Sequence, residues 1–279
     1  MSLPFTAARA RNAGIEHLVK ASPRTEFVLV LDGDCELVSG FVEAALEQMT
    51  RDPKAAIVCG RRRERHRNET IYNRLCDMEW DAPIGKVAEC GGDAVIRLSA
   101  FREVGGYDDS IIAGEEPELC FRLRRAGWVI YRIPHDMTLH DAAITRFDQW
   151  WKRSVRAGHA YAEGYARHGY WSREVGSALF YAGVVPPLAL ASGAATFGLG
   201  LSLFAAHGVL FVRVRGHRLA KGDAAEDASL YAKFCVLSKF ANAVGVAKYV
   251  KNRVLRQRAG IIEYKTASDG SAPTKPVIS

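Results

Sequence analysis

No Cys-x-x-Cys pair occurs in this chain of 279 residues, and its six cysteines (Cys35, Cys59, Cys76, Cys90, Cys120 and Cys235) are widely scattered. The spacing excludes a zinc-ribbon site and a disulfide framework and leaves reduced thiols as the default. The first twenty residues lack the apolar core of a secretory signal. No internal repeat is evident. No strand pattern precedes the first helical segment, an unusual opening for a parallel sheet. The longest absence is of charge: Ala178 to Val212 contains no Asp, Glu, Lys or Arg. A single helix of that length would measure about 52 Å, too long for a hydrocarbon core of about 30 Å. Pro186, Pro187 and Gly193 can break it, and basic residues flank it on both sides. A membrane hairpin with both ends cytoplasmic therefore fits better than one crossing. A buried helix pair in a soluble core is the alternative.

The remainder has a globular composition, 48% hydrophobic, with a net charge of +7 and a pI near 9.1. That excess points to an anionic partner such as nucleotide phosphates, nucleic acid or an acidic membrane. One stretch organises the rest: Phe27-Val28-Leu29-Val30-Leu31, then Asp32-Gly33-Asp34. The apolar run predicts a strand buried on both faces. In open α/β sheets ligands gather at the carboxyl ends of strands, where the two aspartates fall. A divalent cation shared with phosphates would relieve their repulsion. A solvated turn is the plain alternative.

Around this stretch, residues 6–20 read as a helix bearing Arg9, Arg11 and Asn12. A helix follows Ser39, and Ala55 to Cys59 reads as a short strand. Arg61 to Arg67 is expected as a solvated loop, with anion binding as the other reading. Thr70 to Trp80 reads as a helix. Gly91-Gly92-Asp93 precedes a strand, where paired glycines let backbone approach a ligand. In Gly114-Glu115-Glu116-Pro117-Glu118, proline at the first helical position would put Glu116 at the cap, an ionised carboxylate on a rigid element. Trp128 to Ile133 predicts another strand, with His135 and His140 beyond it. Aromatic and basic residues interleave from Phe147 to Trp171, suiting nucleobases or a bilayer headgroup zone. The apolar stretch that follows favours the bilayer. Ala224 to Gln257 reads as a basic amphipathic helix or pair lying on an anionic surface. The Ser/Pro/Gly-rich tail reads as disordered.

Taken together, these residues resemble the family-two inverting glycosyltransferases of glycosyltransferase-A fold. The resemblance spans roughly residues 8–160. It rests on Ala8-Arg9-Ala10-Arg11-Asn12-Ala13-Gly14, Leu31-Asp32-Gly33-Asp34, Gly91-Gly92-Asp93-Ala94-Val95-Ile96-Arg97, Val104-Gly105-Gly106-Tyr107-Asp108 and Gly114-Glu115-Glu116-Pro117-Glu118-Leu119 with Arg122-Leu123. It implies a partial Rossmann-like α/β sheet with helices on both faces, over residues 1–147. Interfacial helices would occupy 148–177, the hydrophobic hairpin 178–212, basic amphipathic helices 213–265 and the tail 266–279.

The resemblance also implies roles. Asp34 would hold Mg²⁺ or Mn²⁺ on the donor diphosphate, Asp32 would contact the ribose or the metal, and His140 would complete the metal shell. Arg11, Asn12 and Asp32 would bind the nucleotide sugar. Glu116 would be the base that deprotonates an acceptor hydroxyl. Gly91, Gly92, Asp93, Glu115, Gln149 and Trp150 would line the sugar and acceptor side. Gln149-Trp150-Trp151-Lys152-Arg153 is similar to the Q-x-x-R-W box of processive synthases, with Lys152 for Arg and Arg153 for Trp. The family's opening strand-helix-strand-helix-strand block has no counterpart ahead of Arg11, so the expectation is either a late start or a truncated chain with impaired donor binding; whether a partner chain supplies the nucleotide pocket is left open. The implied activity is transfer from a nucleotide-diphosphate sugar to a glycan or lipid-linked acceptor at the cytoplasmic face of a membrane, with no nucleic acid. A non-catalytic membrane remnant and a polyprenyl-phosphate glycosyltransferase are the alternatives.

Overall fold

The computed structural model describes residues 6–257. Thr6 starts the first helix by accepting the Arg9 N–H at 3.3 Å, and α1 runs Ala7–Ala21. Strand β1 is Phe27–Val30, β2 is Cys35–Leu37, and helix α2, Phe41–Arg51, packs Phe41, Ala45 and Met49 inward. Strand β3 is Ala55–Glu64. Thr70 caps α3, Ile71–Trp80, by accepting the Tyr72 and Asn73 amides. Then follow β4 (Gly85–Val87), β5 (Ala94–Arg97), α4 (Leu98–Glu103), α5 (Glu115–Arg125) and β6 (Val129–His140).

The strands form one mixed sheet in the order β1-β5-β3-β6-β2, with β4 also paired to β6. Only β3 and β6 run parallel; the remaining pairs are antiparallel. Ala55 to Cys59 are fully buried, as expected of a central strand. At Gly60 a side chain would meet the His135 carbonyl at 2.5 Å. This close approach lets β3 and β6 stay paired to their ends, so His140 finishes beside Cys35 at the start of β2.

Three sequence expectations are corrected here. Strand β1 ends the sheet path and pairs only with β5. Val28 and Val30 are buried, but Leu29 is 36% exposed, so the strand is covered on one face, not two. The basic run is no loop, because β3 continues through Arg61, Arg62 and Arg63 to Glu64. Helix α5 starts at Glu115, capped by Gly114 with φ +90°, so both glutamates stand in its first turn and Pro117 lies inside it.

The C-terminal half is helical. Helix α6 spans Phe147–His168, and α7 (Ser172–Ala178) passes through a π-helical stretch into α8 (Val185–Ala195). After a turn at Phe197 and Gly198, both with positive φ, a 3₁₀ segment leads into α9 (Ala205–Ala220), and α10 runs Ala225–Val254. Ser172–Ala195, Leu199–Ala220 and Ala225–Val254 are each long and apolar enough to cross a membrane. In the apolar stretch large side chains such as Leu190, Phe197 and Leu199 are exposed. Helix α10 takes the single-helix form of the two that the sequence allowed. It is one helix packed along α6, at a crossing where Gly158 meets the Asn242 backbone and Gly245 meets the Val155 carbonyl. The expectation for the tail falls outside the described residues.

Candidate active site

The turn after β1, the start of α5 and the C-terminal helices enclose one cavity of about 970 Å³. Asp32, Asp34, Glu115, Glu116 and His140 line it, together with Arg11 from α1. The acidic clusters, more than 80 residues apart in sequence, therefore share a cleft.

Arg11 joins them. Its guanidinium donates to Asp32 Oδ1 at 2.7 Å, Glu115 Oε1 at 3.0 Å and Glu116 Oε1 at 2.6 Å. Arg62 grips Asp32 from the other side, at 3.0 Å from Oδ2, and also donates to Asp93. Burial opposes ionisation of Asp32, but Arg62 and Arg11 outweigh it and hold the carboxyl below its usual range. Burial likewise opposes charge on Arg11, yet Glu116, Tyr107, Asp32 and Glu115 keep it protonated. For Glu116 burial comes first and the Glu115 carboxylate second; together they push it up to about 7 against the pull of Arg11. A carboxyl that titrates near neutrality on a fixed helix turn is suited to accept a proton.

The backbone at Gly92 completes this cluster. A side chain there would stand 2.6 Å from Asp32 Oδ2 and 2.7 Å from Arg11 Nη2. Only glycine permits that approach. Asp34, by contrast, is 41% exposed in the cavity, with His140 Nε2 at 3.4 Å from its Oδ1. The His140 side chain is buried, stands edge-on to Trp80 and leaves Nδ1 without a hydrogen-bond partner.

Several expected site residues serve other ends. Asn12 donates to the Tyr107 carbonyl (2.8 Å) and Asp109 (2.7 Å), pinning the loop before α5. Asp93 is fully buried behind Arg62, accepting from the Asp32 amide (2.9 Å) and Thr138 (2.7 Å). Gln149 turns back to accept the Thr145 and Arg146 amides at the start of α6. Trp150 is buried among Cys76, Ala142 and Ile144 with its ring against Phe234. Gly91 lines a neighbouring cavity of about 540 Å³. Both oxygens of Asp32 hold guanidinium groups, which makes it a positioning residue more than a metal ligand.

Other lining residues went unread. Arg62 belongs to β3, where register shifts on either side of Arg61 break the alternation of strand faces, so no sequence pattern marks it. Trp80 lies under the Arg62 guanidinium at 5.6 Å. Tyr231, Ser238, Lys239 and Asn242 of α10 form the far wall. No local pattern marks them, because the α6–α10 crossing brings them there.

A mixed sheet with carboxylates at its strand ends, closed by an acidic helix turn, defines a glycosyltransferase-A-like fold. It matches the solved mannosyltransferase PcManGT from Pyrobaculum calidifontis, determined in complex with GDP-Man and Mn²⁺, with a TM-score of 0.51 over 88% of this chain and 67% of that one at 17% identity. The family model for glycosyltransferase-like family 2 covers residues 2–162, and the chain belongs to that family. It is 31% identical over 172 residues, 58% of its length, to a pre-mycofactocin glycosyltransferase of Mycobacterium tuberculosis. A 48-residue stretch is 46% identical to the succinoglycan biosynthesis protein ExoA of Rhizobium meliloti, over 17% of this chain and 14% of that one. The chain spans about a third (35%) of the length of the mycobacterial relative.

Proposed function

We propose that this protein is a metal-dependent inverting glycosyltransferase. It moves a sugar from a nucleotide-diphosphate donor to a hydroxyl of a glycan or lipid-linked acceptor, at the cytoplasmic face of a membrane, in polysaccharide or cell-envelope glycan synthesis. The observation that carries this reading is the cleft that Asp34 and Glu116 both line, in which Arg11 bridges Asp32 to Glu116.

The donor set fits a divalent cation. Asp34 Oδ1 and His140 Nε2 would hold it, a carboxylate and an imidazole that suit Mn²⁺ better than all-oxygen Mg²⁺. When bound, such an ion offsets the charge that develops on the departing nucleoside diphosphate. Glu116 accepts the proton of the acceptor hydroxyl as its oxygen attacks the anomeric carbon from the face opposite the leaving group. No side chain needs to bond to the sugar, so configuration inverts in one displacement. Arg11 fixes the Glu116 carboxylate in place, and Gly92 leaves room for the Arg11–Asp32 pair.

A polyprenyl-phosphate acceptor is the second reading. Lys239 in the cavity wall, on α10, itself one of three helices long and apolar enough to cross a membrane, favours it. The test is donor turnover by the detergent-solubilised chain with Mn²⁺, using a panel of nucleotide sugars that includes GDP-Man, with and without membrane lipid acceptors. Release of nucleoside diphosphate by the wild type and its loss in Asp34→Asn supports the reading. Equal release by both overturns it.

A further inference from the structure

Strand register places a third metal-ligating side chain beside Asp34. Cys35 opens β2 and is the direct cross-strand partner of His140. Cys35 Sγ lies 3.8 Å from Asp34 Oδ1, and His140 Nε2 lies 3.4 Å from the same oxygen. Ligand atoms of all three residues fall within 4.8 Å of one another. A tetrahedral metal with bonds of about 2.3 Å to sulfur and about 2.0 Å to nitrogen and oxygen sets S···O near about 3.5 Å and N···O near about 3.3 Å. The two measured separations therefore need only small movements to close on one ion.

The burial of His140 strengthens the case. Its side chain is 8% exposed, Nε2 faces Asp34, and Nδ1 has no hydrogen-bond partner. Cys35 also stands near Asp32 and Asp93, but that set is closed to an ion. Asp32 holds Arg11 and Arg62, while Asp93 holds Arg62, Thr138 and the Asp32 amide.

We infer that Cys35 is a third protein ligand, with Asp34 and His140, for a thiophilic divalent cation. On binding, the thiol releases its proton to solvent and a metal–sulfur bond forms, with no change of oxidation state. A sulfur, nitrogen and oxygen donor set prefers Zn²⁺ and Co²⁺, accepts Mn²⁺ and discriminates against Mg²⁺. The fourth coordination position would be left for a diphosphate oxygen entering from the cavity that Asp34 and His140 line. The inference deepens the metal component of the function proposed above and rests on it only for that last point.

The test uses the full chain, stripped with a chelator and titrated with Co²⁺ without donor. The expected result is a near-ultraviolet sulfur-to-cobalt charge-transfer band that is absent in Cys35→Ser and kept in Cys235→Ser. Zn²⁺ and Co²⁺ should bind Cys35→Ser at least about tenfold more weakly, with Mg²⁺ affinity within about twofold of wild type. A second variant, Cys35→Asp, replaces sulfur with oxygen and should shift preference toward Mg²⁺ and Mn²⁺. The inference is overturned if the wild type gives no band, or if Cys35→Ser keeps both band and affinity. Because no donor is present, loss of sugar transfer with the band intact would remove the proposed function alone. Metal-dependent transfer without the band would remove this inference alone.

Discussion

Replacing Arg11 by Met removes the cation that three carboxylates share while keeping much of the side-chain volume. Arg11 is 11% exposed, Glu115 6% and Glu116 15%, so water cannot substitute well for the lost charge. Breaking a buried ion pair by deleting one partner costs about 3–5 kcal/mol. That is a large fraction of the roughly 5–15 kcal/mol by which a domain is stable. The cost should depend on pH. Unpaired buried carboxyls bind protons more tightly folded than unfolded, so the variant loses stability as pH rises. Thermal and denaturant unfolding, followed by circular dichroism in detergent, should show the deficit near its full size at about pH 8.5 and much reduced at about pH 5.5. Catalysis should respond as well. Glu116 titrates near 7 with Arg11 pulling it down, so the rising limb of the pH–rate profile should move to higher pH in the variant. A displacement of one unit corresponds to about 1.4 kcal/mol. A stability deficit that is equal at both pH values, with an unmoved limb, would refute the hub role of Arg11.

In the wild type, donor turnover should rise with pH through about 7 as Glu116 ionises, and a profile flat across that range would count against Glu116 as base. The same titration has a stability counterpart. Because the folded pKa lies above the unfolded value, the contribution of Glu116 is full below about 4.5 and is lost as pH rises through about 7, which proton uptake on folding can check. Gly92→Ala should weaken the Arg11–Asp32 pair and cost about 1–3 kcal/mol by overpacking, measured by denaturant melts beside donor affinity. At the helix crossing, Gly245→Val would drive a side chain into the Val155 carbonyl, for which the glycine Cβ position is already at 2.2 Å. Separation of α6 and α10 should then lower the melting temperature and open the α10 wall of the cavity, read by proteolysis near Tyr231 to Asn242.

The sheet and the acidic clusters were legible because their causes are local. The apolar run ending in Asp32-Gly33-Asp34 and the one following Gly91-Gly92-Asp93 mark strands, and the glutamate pair marks a helix start, although the helix begins at Glu115 instead of after Glu116. Charge-free residues 178–212 marked the apolar stretch. The basic run misled because charge usually means solvent, whereas Arg62 is held inside by Asp32 and Asp93, residues distant in sequence. The same non-locality hid the contacts that Asn12, Gln149 and Trp150 make within the fold. Each looks like a binding side chain in one dimension, yet each meets its partner within the fold: the Tyr107 carbonyl, the Thr145 amide and the Phe234 ring. The α10 wall was illegible for a related reason. Two glycines, Gly158 and Gly245, permit the close crossing, and neither stands in a motif.

The account stands or falls on whether Glu116 acts on the acceptor while leaving the donor bound. Donor affinity by calorimetry and sugar transfer by product release, measured together for wild type and Glu116→Gln, decide it. The expected result is donor affinity within about threefold and transfer reduced at least about 10²-fold, as for loss of a general base. Transfer by Glu116→Gln at the wild-type rate, with donor still bound, would contradict it.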